Sequence, residues 1–376
     1  MGYLKAEDCQ LAEFVALTAR TQADDLRFAA AIEKNVPIYD MAALGDVLAR
    51  DRAAVMAEWA WVLRDGPGVM ALKGAYADTA PIDAATGIFL QIIEDERDQG
   101  GADHFAAAGA NDRIWNALQK LCLRAPDVFA GYFGNPAIAA VCEAWLGPAY
   151  QMTAQINLVR PGGQAQQAHR DYHLGFMTRE QAETFPAHIH DLSPLMTLQG
   201  AVAHCDMPVE SGPTKLLPFS QLYRAGYVAF TREDFRAHFD AHHIQLPLAK
   251  GDAVFFNPAL FHAAGENRTE DIHRMANLLQ VSSCMGRAME SVDRMAMARA
   301  LYPALLAAQM PRAEAEAAIA ACAEGYAFPT NLDTDPPVDG LAPESQAGLM
   351  RRALAERWSQ DKFTTALTAQ DTRRRP

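Results

Sequence analysis

Cysteine is scarce in this chain of 376 residues, and the six that occur, at 9, 122, 142, 205, 284 and 322, follow no regular spacing. No C-x-x-C pair is present, so neither a zinc knuckle nor a disulfide framework is expected. The thiols read as buried groups in a reducing cytoplasm. Long apolar runs are missing as well. None approaches the roughly 20 residues that a membrane-spanning helix needs, no secretory leader opens the chain, and Met1-Gly2 lacks the downstream hydroxyl residue that myristoylation prefers. A cytoplasmic protein with no membrane partner is expected. Positive charge is also short: 33 Lys and Arg stand against 46 Asp and Glu, a net charge of −13. Phosphate backbones are bound by basic patches. Only Arg373-Arg374-Arg375 comes close, and that tail is expected to fray in solvent, so no nucleic-acid partner is expected.

What is present is apolar and globular, with 50% hydrophobic residues and 21% charged. That is ample for one elaborated core. Residues 1–65 are Ala-rich and helix-periodic, with Met41 to Arg64 the clearest helix and Asp65-Gly66-Pro67-Gly68 its stop. Gly68 to Gly74 reads as a buried strand, and helical patterns return at Pro81 to Arg97, Asp112 to Leu123 and Pro136 to Trp145. From Tyr150 the texture changes to short apolar runs bounded by Gly, Pro, Asn or Asp. These are Gln151 to Val159, Leu195 to Cys205, Thr214 to Phe219, Ile244 to Leu248, Ala253 to Phe256, Leu260 to Ala264 and Met275 to Ser283. Short strands with turn signals suggest a sandwich or jelly-roll barrel. After Met285 the chain is helical again to about Leu367, apart from a loop at Pro329 to Pro343. The expected plan is a single domain: a mostly helical part over 1–149, a β core over 150–285 and a helical part over 286–376.

Within that core, Gln166-Gln167-Ala168-His169-Arg170-Asp171-Tyr172-His173 carries a His-x-Asp pair. On a strand, residues two apart share a face, so His169 and Asp171 present an imidazole and a carboxylate together. The chain holds two more such pairs. His238 and Asp240 lie in a helical stretch, where neighbours two apart do not share a face, and His204 and Asp206 run into the turn at Glu210 to Pro213, where they are expected to satisfy turn backbone. One further histidine would complete a 2-His-1-carboxylate set, which leaves metal positions open and suits non-haem Fe(II) oxygenases. Lys250 to His262 supplies it. Gly251-Asp252 makes a turn, Val254 to Phe256 an apolar strand, and His262 lies in the next strand. The polar turn Gly265 to Asp271 folds Ile272 to Leu279 back beside it. That brings Arg274 toward the metal, and its planar fork suits the carboxylate of a chelating keto-acid.

Taken together, these motifs resemble the phytanoyl-CoA dioxygenase family over roughly residues 60–285. The resemblance rests on His169-x-Asp171, Ser211-Gly212-Pro213-Thr214, Leu217-Pro218-Phe219-Ser220, the Gly251-Asp252 strand, His262, and Asn267 before Arg274. It implies a double-stranded β-helix related to the cupin jelly roll, with iron on His169, Asp171 and His262. It also implies 2-oxoglutarate and O2 as cosubstrates, Arg274 rather than the turn residue Arg268 holding the distal carboxylate, and Asn157 contacting the cosubstrate. The implied reaction is hydroxylation of a C–H bond of a small molecule, with succinate and CO2 released. Related halogenases replace the ligand carboxylate with a small residue; Asp171 is retained. Two departures stand out: Pro218-Phe219-Ser220-Gln221 replaces the family's Pro-Gly-Ser-His, and Arg274 lies one position further from His262.

Two other readings fit parts of the pattern. One is a metal cupin of other chemistry, using His188-x-His190 or a helical pair His169 and His173; the other is a non-catalytic barrel that binds a small molecule. For the substrate, the segment Tyr172 to Pro194 is too long for a hairpin turn. It gathers His173, Arg179, His188 and His190, with Arg170 adjoining. In so acidic a chain, such a cluster is expected to mark the entry of an anionic substrate, through Arg170, His173 and Arg179.

Overall fold

Alternation along the strands decides which side chains reach the interior cavity and which are covered by helices. In the computed structural model, which describes residues 2–22, 25–97, 111–338 and 340–375, ten strands are formed. They are β1 (Ala31–Glu33), β2 (Val36–Asp40), β3 (Val69–Lys73), β4 (Asn111–Ile114), β5 (Gln151–Val159), β6 (Thr197–Ala203), β7 (Lys215–Leu216), β8 (Ala253–Phe256), β9 (His262–Ala263) and β10 (Arg274–Ser282). Eight make one sheet in the order β1-β2-β3-β8-β6-β10-β5-β4, and β7 pairs with β9 in a second. In β10, Met275, Leu279 and Val281 enter the main core beneath the helices. Arg274, Ala276, Leu278 and Gln280 line the opposite face, toward a cavity. The same two-residue period sends Met152, Ala154, Ile156 and Leu158 of β5 into the core and Gln155, Asn157 and Val159 to the cavity.

Helices from both ends cover the outer face, bringing Trp59, Phe89, Phe129, Leu301 and Phe363 into the same core. The inner face looks across the cavity at the short sheet, from which Leu216, His262 and Ala263 reach it. Two facing sheets around a cavity, one helix-covered, make the double-stranded β-helix expected from the sequence.

Several elements differ from expectation for local reasons. The stretch Met41 to Arg64 is two helices, Met41–Arg50 and Arg52–Arg64, because Asp51 leaves helical geometry between them (φ −131°, ψ 47°). Asp112 to Leu123 starts as β4, an edge strand beside β5. It turns at Asn116, at φ 53°, into a helix over Ala117–Arg124. Ile244 to Leu248 makes only isolated bridges, to Leu216 and Met207, since Pro247 has no N–H to give a ladder. The segment after Asp171 is folded too, with helices at Arg179–Ala182 and Ala187–Leu192. His188 and His190 are therefore two apart on a helix and share no face; His190 Nε2 bonds the Ala182 carbonyl at 3.0 Å. The arginine tail does not fray. It ends a helix over Gln360–Arg374, where Arg373 pairs with buried Asp335 at 3.1 Å and Arg374 donates to the Ala327 carbonyl at 2.6 Å. Among the described residues, no helix is long and apolar enough to cross a membrane.

Candidate metal centre and cofactor pocket

His169 lies on no continuous strand. It makes one antiparallel bridge with His262, each backbone N–H donating to the other's carbonyl, at 3.0 and 3.2 Å. Residues directly opposite across such a pair present their side chains on one side. The two imidazole centroids are accordingly 4.5 Å apart. Each ring is pinned in the same way: His169 Nδ1 donates to Gln167 O and His262 Nδ1 to Leu260 O, both at 2.8 Å. A carbonyl only accepts, so Nδ1 carries the proton and each Nε2 keeps its lone pair for a metal.

Asp171 completes the set, with Oδ1 3.7 Å from His169 Nε2 and Oδ2 3.4 Å from His262 Nε2. One donor atom from each of the three lies within 4.8 Å of the others, and no other such group of His, Cys, Asp or Glu occurs among the described residues. Burial alone would raise the Asp171 carboxyl. His169, His262 and Gln199 outweigh it and hold it well below the usual carboxylate range, while burial pushes the His169 imidazole below its own. One carboxylate and two imidazoles that turn Nε2 toward it are a donor set that fits Fe(II). Gln199, on β6, donates from Nε2 to Asp171 Oδ2.

The other two His-x-Asp pairs hold no metal site. His238 sits on a helix over Glu233–His242 and bonds Thr18 Oγ1 at 2.9 Å. Asp206 accepts from the Lys250 backbone, at a turn other than the one at Glu210 to Pro213 that was expected. His204 does not serve turn backbone: it is buried on the helix side of the sheet between Thr86 Oγ1 at 2.8 Å and Tyr132 Oη at 2.7 Å.

Arg274 opens β10 and lines the same cavity as the three ligands. Only 6% exposed, it donates from one guanidinium nitrogen to Ser211 O at 3.3 Å and Gly265 O at 3.4 Å. Among the described residues it has no carboxylate partner, and burial pushes it down to about 10. The Ser211-Gly212-Pro213-Thr214 motif builds this floor. Gly212 takes φ +75° and packs so close to Glu266 that a Cβ would lie 2.3 Å from its carbonyl oxygen. Asn267 ties the turn together, donating to Val159 O and Ile272 O. Arg268 is exposed on that turn. Phe219, where the family has glycine, holds a left-handed φ of 67°, and Ser220 Oγ accepts from Phe261 N just ahead of His262.

The expected substrate cluster is not assembled at the cavity. Arg170 points away from its neighbours His169 and Asp171, as alternation demands. It is 2% exposed, donates to Ser220 O at 2.6 Å and Tyr223 O at 2.9 Å, and lies over the rings of Tyr227 and Phe261. A Cβ on Gly226 would lie 1.8 Å from its guanidinium carbon. Arg170 is thus a rivet in the core. His173 is half-buried beside Ser193, and Arg179 is exposed and pairs with Glu180. From that segment Gly175 and Phe176 line the cavity instead. Its volume is about 770 Å³, and its polar wall is mostly amide: Asn111, Gln155, Asn157, Gln199 and Gln280, with Arg113. The sequence offered one signal for Gln155, Asn157 and Gln199: each sits on the cavity side of a strand whose alternate residues are mostly apolar.

Comparison with known proteins matches these features to one family. The model of the family described as "Phytanoyl-CoA dioxygenase (PhyH)" matches residues 49–276, more than half of the chain. Among curated relatives, a protein named dioxygenase trt7 from Aspergillus terreus is 26% identical over 212 residues, spanning 55% of this chain and 67% of its own length. Another, dioxygenase andF from Emericella variicolor, is 26% identical over 144 residues, 37% of this chain and 45% of the relative. A solved structure, the non-haem α-ketoglutarate-dependent carbocyclase SnoK from nogalamycin biosynthesis, is 17% identical over 60% of this chain and 83% of its own, with a TM-score of 0.43. That likeness is too loose to transfer anything.

Proposed function

The chain belongs to the phytanoyl-CoA dioxygenase family, and on that premise we propose that it is an Fe(II)- and 2-oxoglutarate-dependent oxygenase that hydroxylates a C–H bond of a small organic molecule. The overall reaction balances as substrate C–H, O2 and 2-oxoglutarate giving C–OH, succinate and CO2. His169, Asp171 and His262 are the residues that would hold the iron. When bound, the iron with its keto-acid supplies the oxidative chemistry.

The chain's own part is to orient and to exclude water. The observation that carries this reading is Arg274, a buried cation at the cavity wall without a counter-ion among the described residues. A bare buried charge is costly unless a ligand of opposite sign completes it. The distal carboxylate of 2-oxoglutarate suits it, and a planar guanidinium accepts that group bidentately. Asn157, on the same face of β5, is the residue we assign to a further cosubstrate contact. Apolar side chains of Leu216, Leu246, Leu248 and Val254 line the cavity as well and keep the site dry.

For the substrate, the polar wall favours an uncharged molecule that bears hydrogen-bond donors. The amide oxygens of Gln199 and Gln280 are buried and have no donor among the described residues. Such oxygens call for O–H or N–H groups and repel an anion. The test is a matched screen of neutral hydroxyl-bearing and anionic small molecules under 18O2, read by mass spectrometry. Labelled hydroxyl in the neutral set supports the reading; product formation from anions alone contradicts the substrate class.

A further inference from the structure

Gln199 contributes something to the metal centre beyond filling a strand position. Its neighbours on the cavity face of β6, Ala201 and Ala203, are small and apolar, whereas Gln199 is a long amide only 4% exposed. One end is used: Nε2 donates to Asp171 Oδ2. The other end is not, since Oε1 is buried with no partner. Leaving a buried carbonyl unsatisfied is unfavourable, so an apolar residue would suit a purely packing role better. The hydrogen bond also fixes the amide's orientation, because a carboxylate cannot accept from Oε1.

The consequence lies in what remains of Asp171. A ligating carboxylate has two oxygens and can bind a metal through one or both. Oδ2 is occupied by Gln199, with His262 Nε2 3.4 Å away. Oδ1 lies on the His169 side, at 3.7 Å. On the Fe(II)/2-oxoglutarate reading above, we propose that Gln199 is a positioning residue that restricts Asp171 to binding through a single oxygen. Three protein atoms then hold the metal, and three positions stay open. A chelating keto-acid would draw on these open positions. Without Gln199, Oδ2 is free to turn onto the metal and block one of those three.

The prediction separates metal binding from cosubstrate binding. Gln199→Leu should still bind Co(II), used as a spectroscopic stand-in under argon, and should lose more in 2-oxoglutarate affinity than in Co(II) affinity, the larger loss on the order of 10–100-fold. Its Co(II) absorption band should differ from the parent's before any 2-oxoglutarate is added, a change that simple loosening of packing does not produce. If Gln199→Leu fails to fold, Gln199→Met, of similar length and without a donor, carries the same test. Parent-like spectra and parent-like 2-oxoglutarate affinity in the folded variant overturn the proposal, as does a loss confined to metal affinity. Failure of the parent itself to bind 2-oxoglutarate with metal present would instead overturn the functional reading.

Discussion

His169 and His262 close one another's backbone across a single antiparallel bridge, so the site's two imidazoles are set by main-chain pairing before any metal arrives. Each is then pinned through Nδ1 to a carbonyl two residues earlier in its own chain segment. The site is preorganised, and removing one ligand should leave the fold intact.

His169→Ala, Asp171→Ala and His262→Ala should therefore each lose Fe(II) binding and turnover while keeping parent-like circular dichroism. His238→Ala should keep the iron, because its ring bonds Thr18 far from the set. Dialysis against Fe(II) followed by metal analysis checks this. Parent-like metal content in Asp171→Ala would refute the assignment.

On the proposed function, Arg274→Ala removes the group that would hold the distal carboxylate of 2-oxoglutarate, but no candidate metal ligand. The expected result is a rise in the 2-oxoglutarate KM on the order of 100-fold, in line with truncating a buried charge pair, with iron content unchanged. Arg268→Ala, on the exposed turn, should leave the KM alone. The opposite pattern would assign the anchor to Arg268.

Arg170 is expected to matter for stability and not for substrate choice. Arg170→Met removes two hydrogen bonds to carbonyls and two ring contacts, and should cost about 3 kcal/mol of unfolding free energy. Arg179→Ala should cost almost nothing, since its pair with Glu180 is solvent-exposed. Urea titration measures both. A stable Arg170→Met with altered substrate preference would contradict the burial argument.

His204 gives the fold a pH dependence. Burial, with Lys250 adding to it, pushes its imidazole down to about 3. It is neutral in the fold and titrates near 6.5 when unfolded. The unfolded chain thus takes up the proton first as pH falls. The stabilisation is complete above about 6.5 and drains away between there and about 3. Between pH 7.5 and 4.5 this one group should account for about 2–3 kcal/mol. His204→Gln should flatten that part of the profile in urea unfolding. An unchanged slope would show that His204 is not the group responsible.

Much of the site was legible because its chemistry is local in sequence. His169 and Asp171, two apart in an extended segment, share a side although that segment makes a single bridge at His169 and not the expected strand, and the order of His262 before Arg274 needed one turn. The long strands at 151–159 and 274–282 were legible as apolar runs between turn signals. The misreadings trace to tertiary context. Nothing local distinguishes β4 from the helix that follows it; its pairing with β5 decides. Arg170 looked like a ligand-facing cation, yet its neighbours in alternation take the metal side and Gly226 makes room for it on the other. Gln199 was missed because its partner, Asp171, is 28 residues away.

The most direct measurement of the central claim is cosubstrate turnover by metal-free enzyme reconstituted with Fe(II) under argon and then exposed to O2 with 2-oxoglutarate. The account predicts succinate formation that requires Fe(II), is not supported by Zn(II), and disappears in Asp171→Ala. Succinate formed equally by Asp171→Ala, or none from the fully loaded parent enzyme in the presence of any tested small molecule, would contradict it.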